Sequence, residues 1–239
     1  MRAGELREWA SIDAGGVVIG PLGGRRVRYL FASRERAADL GFFARTYAPF
    51  RLAMSYEELI FRGRGSARAG PVEQRMIGEW ARLVGVEAPA GASASAYGLA
   101  FAWHRGASAG GVCEDLAVYL TGEVRASPCS GEPELRGRLD AGRLARLYAW
   151  YDGLAPFQSQ GEQGVRADAL LERLIFAGRG GRPASPREES AIEALAVNLY
   201  RELTAPPAPP PPAKKGPLLR DQAAEAAGDE GGGVGEDAG

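Results

Sequence analysis

Leu59-Ile60-Phe61-Arg62-Gly63-Arg64-Gly65 returns as Leu174-Ile175-Phe176-Ala177-Gly178-Arg179-Gly180, displaced by 115 residues. At the same displacement Pro71 meets Pro186, Glu73 meets Glu188 and Ile77 meets Ile192. Upstream, Tyr47-Ala48-Pro49-Phe50 matches Leu154-Ala155-Pro156-Phe157, now displaced by 107. Read back without a gap, that displacement pairs Phe43 with Trp150, Leu40 with Leu147, Ser33 with Asp140, Val17 with Val124, Gly15 with Gly122 and Trp9 with Leu116. The two displacements differ by 8 residues, which fall in the polar stretch from Gln158 to Arg166. A constant register on both sides of one insertion is the mark of a unit written twice.

Each copy reads β-β-α-β-α. Leu116-Ala-Val118-Tyr and Val124-Arg-Ala126 alternate with period two across a glycine turn, which predicts a hairpin. Asp140 or Ser33 is placed to cap a helix. Leu144, Leu147, Tyr151 and Leu154, or Leu40, Phe43, Ala44 and Tyr47, then fall on one helical face, and a proline follows. A strand comes next (Tyr56 to Arg62, or Leu170 to Ala177) and ends in Gly-Arg-Gly. Ser185-Pro186-Arg187-Glu188 reads as a capping box with proline at the first helical position. Two helices on one face of a small, mainly antiparallel sheet is the simplest packing for such a unit, so the fold class is α+β.

The expected organisation is a first repeat over 1–88, a linker over 89–96, a second repeat over 97–204 and a tail over 205–239. The second repeat has an additional strand, Leu99-Ala-Phe101-Ala-Trp103-His104, ahead of its hairpin. Its counterpart in the first repeat would lie upstream of Met1, so that repeat reads as N-terminally incomplete: either the strand was lost or the chain is a piece of a longer protein. The tail holds seven of the 16 prolines between residues 206 and 217 and ends in Gly, Glu and Asp. It reads as a polyproline spacer leading into an acidic, disordered segment.

Composition excludes several classes. Lys+Arg of 29 against Asp+Glu of 30 gives a net charge of −1, and the 27 arginines are dispersed, which argues against a nucleic-acid coat. No apolar run is long enough to span a membrane, and the N-terminus carries no readable secretory signal. One His and two Cys cannot build a zinc site of the usual kind, so no metal and no cofactor are expected. His104 has no second histidine and no nucleophile motif to join, and the strand-associated carboxylates Asp168, Glu172, Glu57 and Glu58 form no spaced pair, so no catalytic residue is assigned. Gly63-Arg-Gly65 and Gly178-Arg-Gly180 lack the third glycine of a phosphate-binding loop and read as strand-end turns requiring positive φ.

The hairpin fixes a register for the cysteines. A three-residue loop with Gly122 left-handed sets Tyr119 opposite Glu123, so that facing residue numbers sum to 242. Cys113 and Cys129 share that sum, and facing Cα atoms lie within disulfide reach. A bridge there adds about 3 kcal/mol in the chain-entropy picture and implies an oxidising compartment, periplasmic, secreted or lipid-anchored. Loops on a rigid scaffold are where binding is expected. The two long ones here are His104, Arg105, Gly106, Ser108 and Gly111, and the insertion with Gln158, Gln160, Glu162 and Gln163.

Trp103-His-Arg105, the Gly-rich segment to Gly111, and Cys113-Glu-Asp-Leu116-Ala-Val118-Tyr119-Leu-Thr-Gly122-Glu-Val124 resemble a group of bacterial secreted or lipid-anchored domains. The order of strand, glycine loop, hairpin, Leu-rich helix, Ala167-Asp168 strand and closing helix is similar to emfourin, a small inhibitor of thermolysin-like metalloproteases. Between Arg105 and Gly111 the first and last positions match the emfourin loop. The resemblance implies a tandem, non-enzymatic, extracytoplasmic interaction module with a protein partner, such as a protease or a cell-surface protein. A metalloprotease inhibitor is the narrower alternative, and a small-molecule enzyme working near His104 is a second.

Overall fold

Period-two patterning around tight turns opens the chain with β1 (Glu8–Asp13), β2 (Gly16–Pro21) and β3 (Val27–Tyr29). They are followed by α1 (Arg34–Thr46), β4 (Phe50–Met54), β5 (Glu57–Phe61) and α2 (Pro71–Ala90). A lone strand, β6 (Leu99–Ala107), comes next. The same order of elements then runs again: β7 (Cys113–Tyr119), β8 (Glu123–Ser127), β9 (Leu135–Arg138), α3 (Ala141–Gly153), β10 (Phe157–Gln163), β11 (Leu170–Phe176) and α4 (Pro186–Thr204). The structure is a computed structural model that describes residues 8–21, 25–54, 57–90, 97–107, 112–128, 133–163 and 170–205. The fold is α+β with antiparallel ladders. No helix among the described residues is long and apolar enough to cross a membrane.

Each half is richer in strands than β-β-α-β-α. A third strand follows the first hairpin, and a hairpin stands where one strand was expected. The polar insertion is therefore no loop up to Gln163: Gln158 to Gln163 belong to β10 and pair with β11. Its side chains hid it, because β10 is an edge strand, and an edge facing water does not need apolar alternation. The turn between β1 and β2 also corrects the gapless alignment by one residue. Two residues (Ala14, Gly15) separate those strands, against three (Leu120 to Gly122) between β7 and β8. Ile12 therefore faces Val17 as Val118 faces Val124, and Ala10, not Trp9, is the register counterpart of Leu116.

In the second half β6 is inserted between β11 and β7, giving a six-stranded sheet ordered β10-β11-β6-β7-β8-β9. One face of it (Phe101, Trp103, Leu116, Val118, Val124, Leu174, Phe176) is buried with Leu147 and Leu154 of the α3 region and Ile192 and Ala196 of α4. In the first half β1-β2-β3 and β4-β5 remain separate sheets over one core of Val17, Phe43, Phe61, Ile77, Trp80 and Val84. The helix starts follow their sequence signals: Asp140 Oδ1 accepts from Arg143 N (2.8 Å), and Ser185 with Glu188 forms the full capping box. Ser33 sits at its N-cap position without a side-chain cap bond.

The halves pack on one another within a unit ending at Ala205. Met76 of α2 touches both cores, and Arg75 spans the seam, donating to Asp152 (2.5 and 2.9 Å) with its guanidinium 4.0 Å from the Tyr148 ring centroid. The tail expected over 205–239 lies, beyond Ala205, outside the described residues, as do 91–96 of the expected linker.

The Gly-Arg-Gly turns do not have positive φ, contrary to expectation. Their glycines are required by contact. A Cβ on Gly178 would lie 2.3 Å from the Leu154 carbonyl oxygen, and one on Gly63 would lie 2.0 Å from that of Tyr47. The backbone returns here to the end of the preceding helix. Arg179 N donates to Tyr151 O (2.8 Å) and Gly180 N to Leu154 O (2.8 Å); Arg64 N donates to Ala44 O (2.7 Å) and Gly65 N to Tyr47 O (3.1 Å). The turns thus satisfy carbonyls that a helix end leaves unpaired.

Candidate functional site

β6 organises the site because its side chains alternate between the two faces of the sheet. Phe101 and Trp103 enter the core, while Ala102 and His104 point to the face without helices. The ladders on either side align Arg173, His104, Asp115 and Ser127 in one transverse row and Ile175, Ala102, Ala117 and Arg125 in the next. Ala102 and Ala117 have only methyl groups, so their longer neighbours stand up around them. The result is a trough of about 470 Å³ at the middle of the open face.

His104 Nδ1 lies 2.7 Å from Asp115 Oδ1, with the side chains 41% and 51% exposed. At that exposure the pair contributes ~0–1 kcal/mol, so it shapes the surface rather than holding the fold. Arg173 donates to the Gln158 carboxamide oxygen (3.3 Å). Arg125 donates from Nε to Glu123 Oε1 (2.8 Å), and its guanidinium lies 4.8 Å from the Tyr119 ring centroid. Burial alone would raise the Glu123 carboxyl; Arg125 and Arg36 overcome it and hold the group below its ordinary value.

The residues singled out from the sequence are partly gathered here. His104 lines the trough, and Gln158 and Gln160 share its face on the edge strand. Arg105 lies on the other face, paired with Glu114 (2.5 Å) and 5.5 Å from the Trp103 ring centroid. Gly106 faces Cys113. Glu162 and Gln163 stand in β10 opposite Leu171 and Leu170. Ser108 and Gly111 lie outside the described residues, as does Cys129. Asp115, Arg125 and Arg173 were missed as site residues. Period-two alternation assigns a face within one strand, but β11 reaches β6 only through a pairing distant in sequence.

Three chemistries would each need more than the arrangement offers. Donor atoms of His104, Cys113 and Asp115 lie within 4.8 Å of one another, close enough for a cation. Cys113 is not a free thiol, however, so the trio offers no thiolate. A hydrolytic triad needs the imidazole between carboxylate and nucleophile, and here Asp115 stands between His104 and Ser127. The Gly-Arg-Gly backbone donors are spent on helix carbonyls and do not form an anion cradle. Glu172, buried in the core, accepts the Trp103 indole N–H (2.6 Å). Burial, and then Glu172, raise the carboxyl of Glu193.

No protein-family model, curated protein or solved structure matches this chain.

Proposed function

We propose that the chain is a non-catalytic, extracytoplasmic binding module that engages a protein partner through the open face of the six-stranded sheet. The supporting observation is the trough itself: a helix-free face, dented by Ala102 and Ala117 and rimmed by Asp115, Arg125, Arg173 and His104. Charges of both signs on a shallow floor suit a protein surface better than a single small ion. The compartment rests on the cysteines. The β7–β8 pairs Asp115–Ser127 and Val118–Val124 keep the sum of 242, which the numbers of Cys113 and Cys129 share in the sequence.

A photo-crosslinking residue at Ala117, with one at Arg201 as control, tests the surface in a protein exported to a bacterial periplasm. Adducts from position 117 that disappear with Arg173→Glu are expected, and equal yields from both positions refute the reading. Labelling with a thiol reagent tests the compartment. Protection of both cysteines without reductant is expected, and full labelling after export removes the bridge.

The inhibitor reading is favoured by one feature. Ala107 N–H donates to the Val112 carbonyl (3.0 Å), drawing together the two ends of the segment that resembles the emfourin loop. Titration into a thermolysin-like protease decides it. Peptide cleavage unchanged at micromolar protein rejects inhibition and leaves the binding-module reading standing.

A further inference from the structure

We propose that His104, Cys113 and Asp115 form a zinc site that opens when the disulfide at Cys113 is reduced. It does not rest on the open-face reading.

The register of β6 against β7 brings the three residues together. His104 faces Asp115 and Gly106 faces Cys113, the second pair two residues along from the first, so all four lie on the face without helices. One donor atom from each of His104, Cys113 and Asp115 lies within 4.8 Å of the other two. Donors bound tetrahedrally to one zinc stand about 3.3 to 3.7 Å apart, given bonds of about 2.0 to 2.3 Å. His104 Nδ1 and Asp115 Oδ1 stand 2.7 Å apart, the spacing of a shared proton. A cation in place of that proton requires the gap to open by about 0.6 Å. With 41% and 51% of their side chains exposed, the two residues can make that shift without disturbing the core.

Glycine at 106 keeps the position clear. A Cβ there would lie 2.9 Å from His104 Nε2, so a side chain at this point would push the imidazole out of the trio. It would also stand on the same face as Cys113, directly across the ladder from it.

The donor set selects the metal. Imidazole nitrogen, thiolate sulfur and carboxylate oxygen together suit zinc, whereas magnesium and calcium take oxygen. Three protein donors leave the fourth position to water. This is a different arrangement from the four-ligand structural site that one His and two Cys cannot build.

The sulfur is the gate. Cys113 is disulfide-bonded, and it is the thiolate that ligates metal. The residue is only half-buried, so a dithiol reductant can reach it. One thiolate of the dithiol attacks the disulfide to give a mixed disulfide, and the other displaces the cysteine. The dithiol leaves as a disulfide, having given two electrons, and the two protein sulfurs take up two protons. Zinc then displaces the proton from Cys113 Sγ. An oxidising compartment keeps the site closed, and a dithiol oxidoreductase opens it. His104 and Asp115 line the trough, so zinc here also changes the charge that its rim presents.

The test titrates Zn2+ into the full chain in competition with a chromophoric chelator, before and after reduction by a phosphine that is then removed. The reduced chain should take one zinc with a Kd of about 1 μM or lower, and the oxidised chain should bind about 100-fold more weakly or worse. Cobalt(II) in place of zinc should give a thiolate-to-metal charge-transfer band in the reduced chain alone. His104→Gln and Asp115→Asn change exposed side chains, and each should weaken binding about tenfold or more with the circular dichroism unchanged. Cys129→Ser leaves Cys113 no second cysteine in the chain and should bind zinc without reductant. Three results overturn the proposal. One is equal zinc affinity before and after reduction. Another is a reduced chain that binds nothing at about 100 μM zinc, whether or not its circular dichroism is retained. The third is binding by the reduced chain that neither His104→Gln nor Asp115→Asn weakens, which would assign the metal to the freed thiols alone.

Discussion

Arg36 of the first half donates from Nη1 to Glu123 Oε2 of the second at 3.0 Å, with both side chains nearly buried. The same guanidinium holds Glu87 at the end of α2 through two bonds of 2.9 Å. One arginine at the start of α1 therefore joins its own half to the β7–β8 turn. Burial opposes its charge, and the two carboxylates more than offset that, raising its pKa above the ordinary arginine value.

Removing Arg36 takes from Glu87 both bonds to the guanidinium and leaves the nearly buried Glu123 with Arg125 alone. Arg36→Ala should cost about 3 kcal/mol, read by urea denaturation. Arg36→Ala with Glu123→Ala should cost less than the sum of the single changes, because each single change already removes the bond that the two share. Additive single changes would mean that the contact contributes nothing to the seam.

The glycine clamps make a sharper contrast. Gly178→Ala would drive a Cβ to 2.3 Å from the Leu154 carbonyl and 2.6 Å from Phe176 Cε1, so the backbone must move. A loss of about 3 kcal/mol is expected. Gly181 has open space around its Cβ direction, and Gly181→Ala should stay within about 0.5 kcal/mol of the parent. Equal thermal shifts for the two variants would mean that the turn relaxes without cost.

Local chemistry was legible in the sequence wherever its determinants lie within a few residues. The Ser185–Glu188 box, the Asp140 cap and the left-handed Gly122 (φ 78°) follow from neighbouring residues alone, and so does the β7–β8 register. β10 escaped notice because an edge strand carries no apolar alternation. The trough escaped because Arg173 meets His104 across 69 residues of sequence, in a ladder that depends on β6 separating β11 from β7. Gly63 and Gly178 were recognised as structural but for the wrong reason. The dihedrals are ordinary there, and it is a helix end, remote in the reading frame of a turn, that excludes a side chain.

The two buried indoles should respond differently to the same substitution. Trp103→Phe deletes the donor that Glu172 accepts in the core and should cost about 3 kcal/mol. Trp80 packs edge-on to Phe43 at 5.5 Å but has no acceptor for its N–H among the described residues. Trp80→Phe should therefore cost only about 1 kcal/mol. The two chemical-denaturation midpoints settle it, and a larger loss at Trp80 would contradict the assignment of its N–H as unpaired.

Acid should act on the N-terminus of α4. The Arg182 guanidinium, and then the backbone and hydroxyl of Ser185, hold the Glu188 carboxyl down to about 2, from an ordinary 4.5. A carboxyl whose pKa is depressed on folding stabilises the native state above its unfolded value, and that contribution is lost as pH falls through the folded value. The gap in melting temperature between the parent and Glu188→Ala should thus be full at neutral pH. It should begin to shrink near 4.5 and reach its minimum near 2. Arg182→Gln should narrow that window from the acid side, because it removes the largest cause of the depression and leaves Ser185 in place. Melting curves of parent and Glu188→Ala that run parallel from neutral pH to acid would mean that the carboxylate charge adds nothing to the cap.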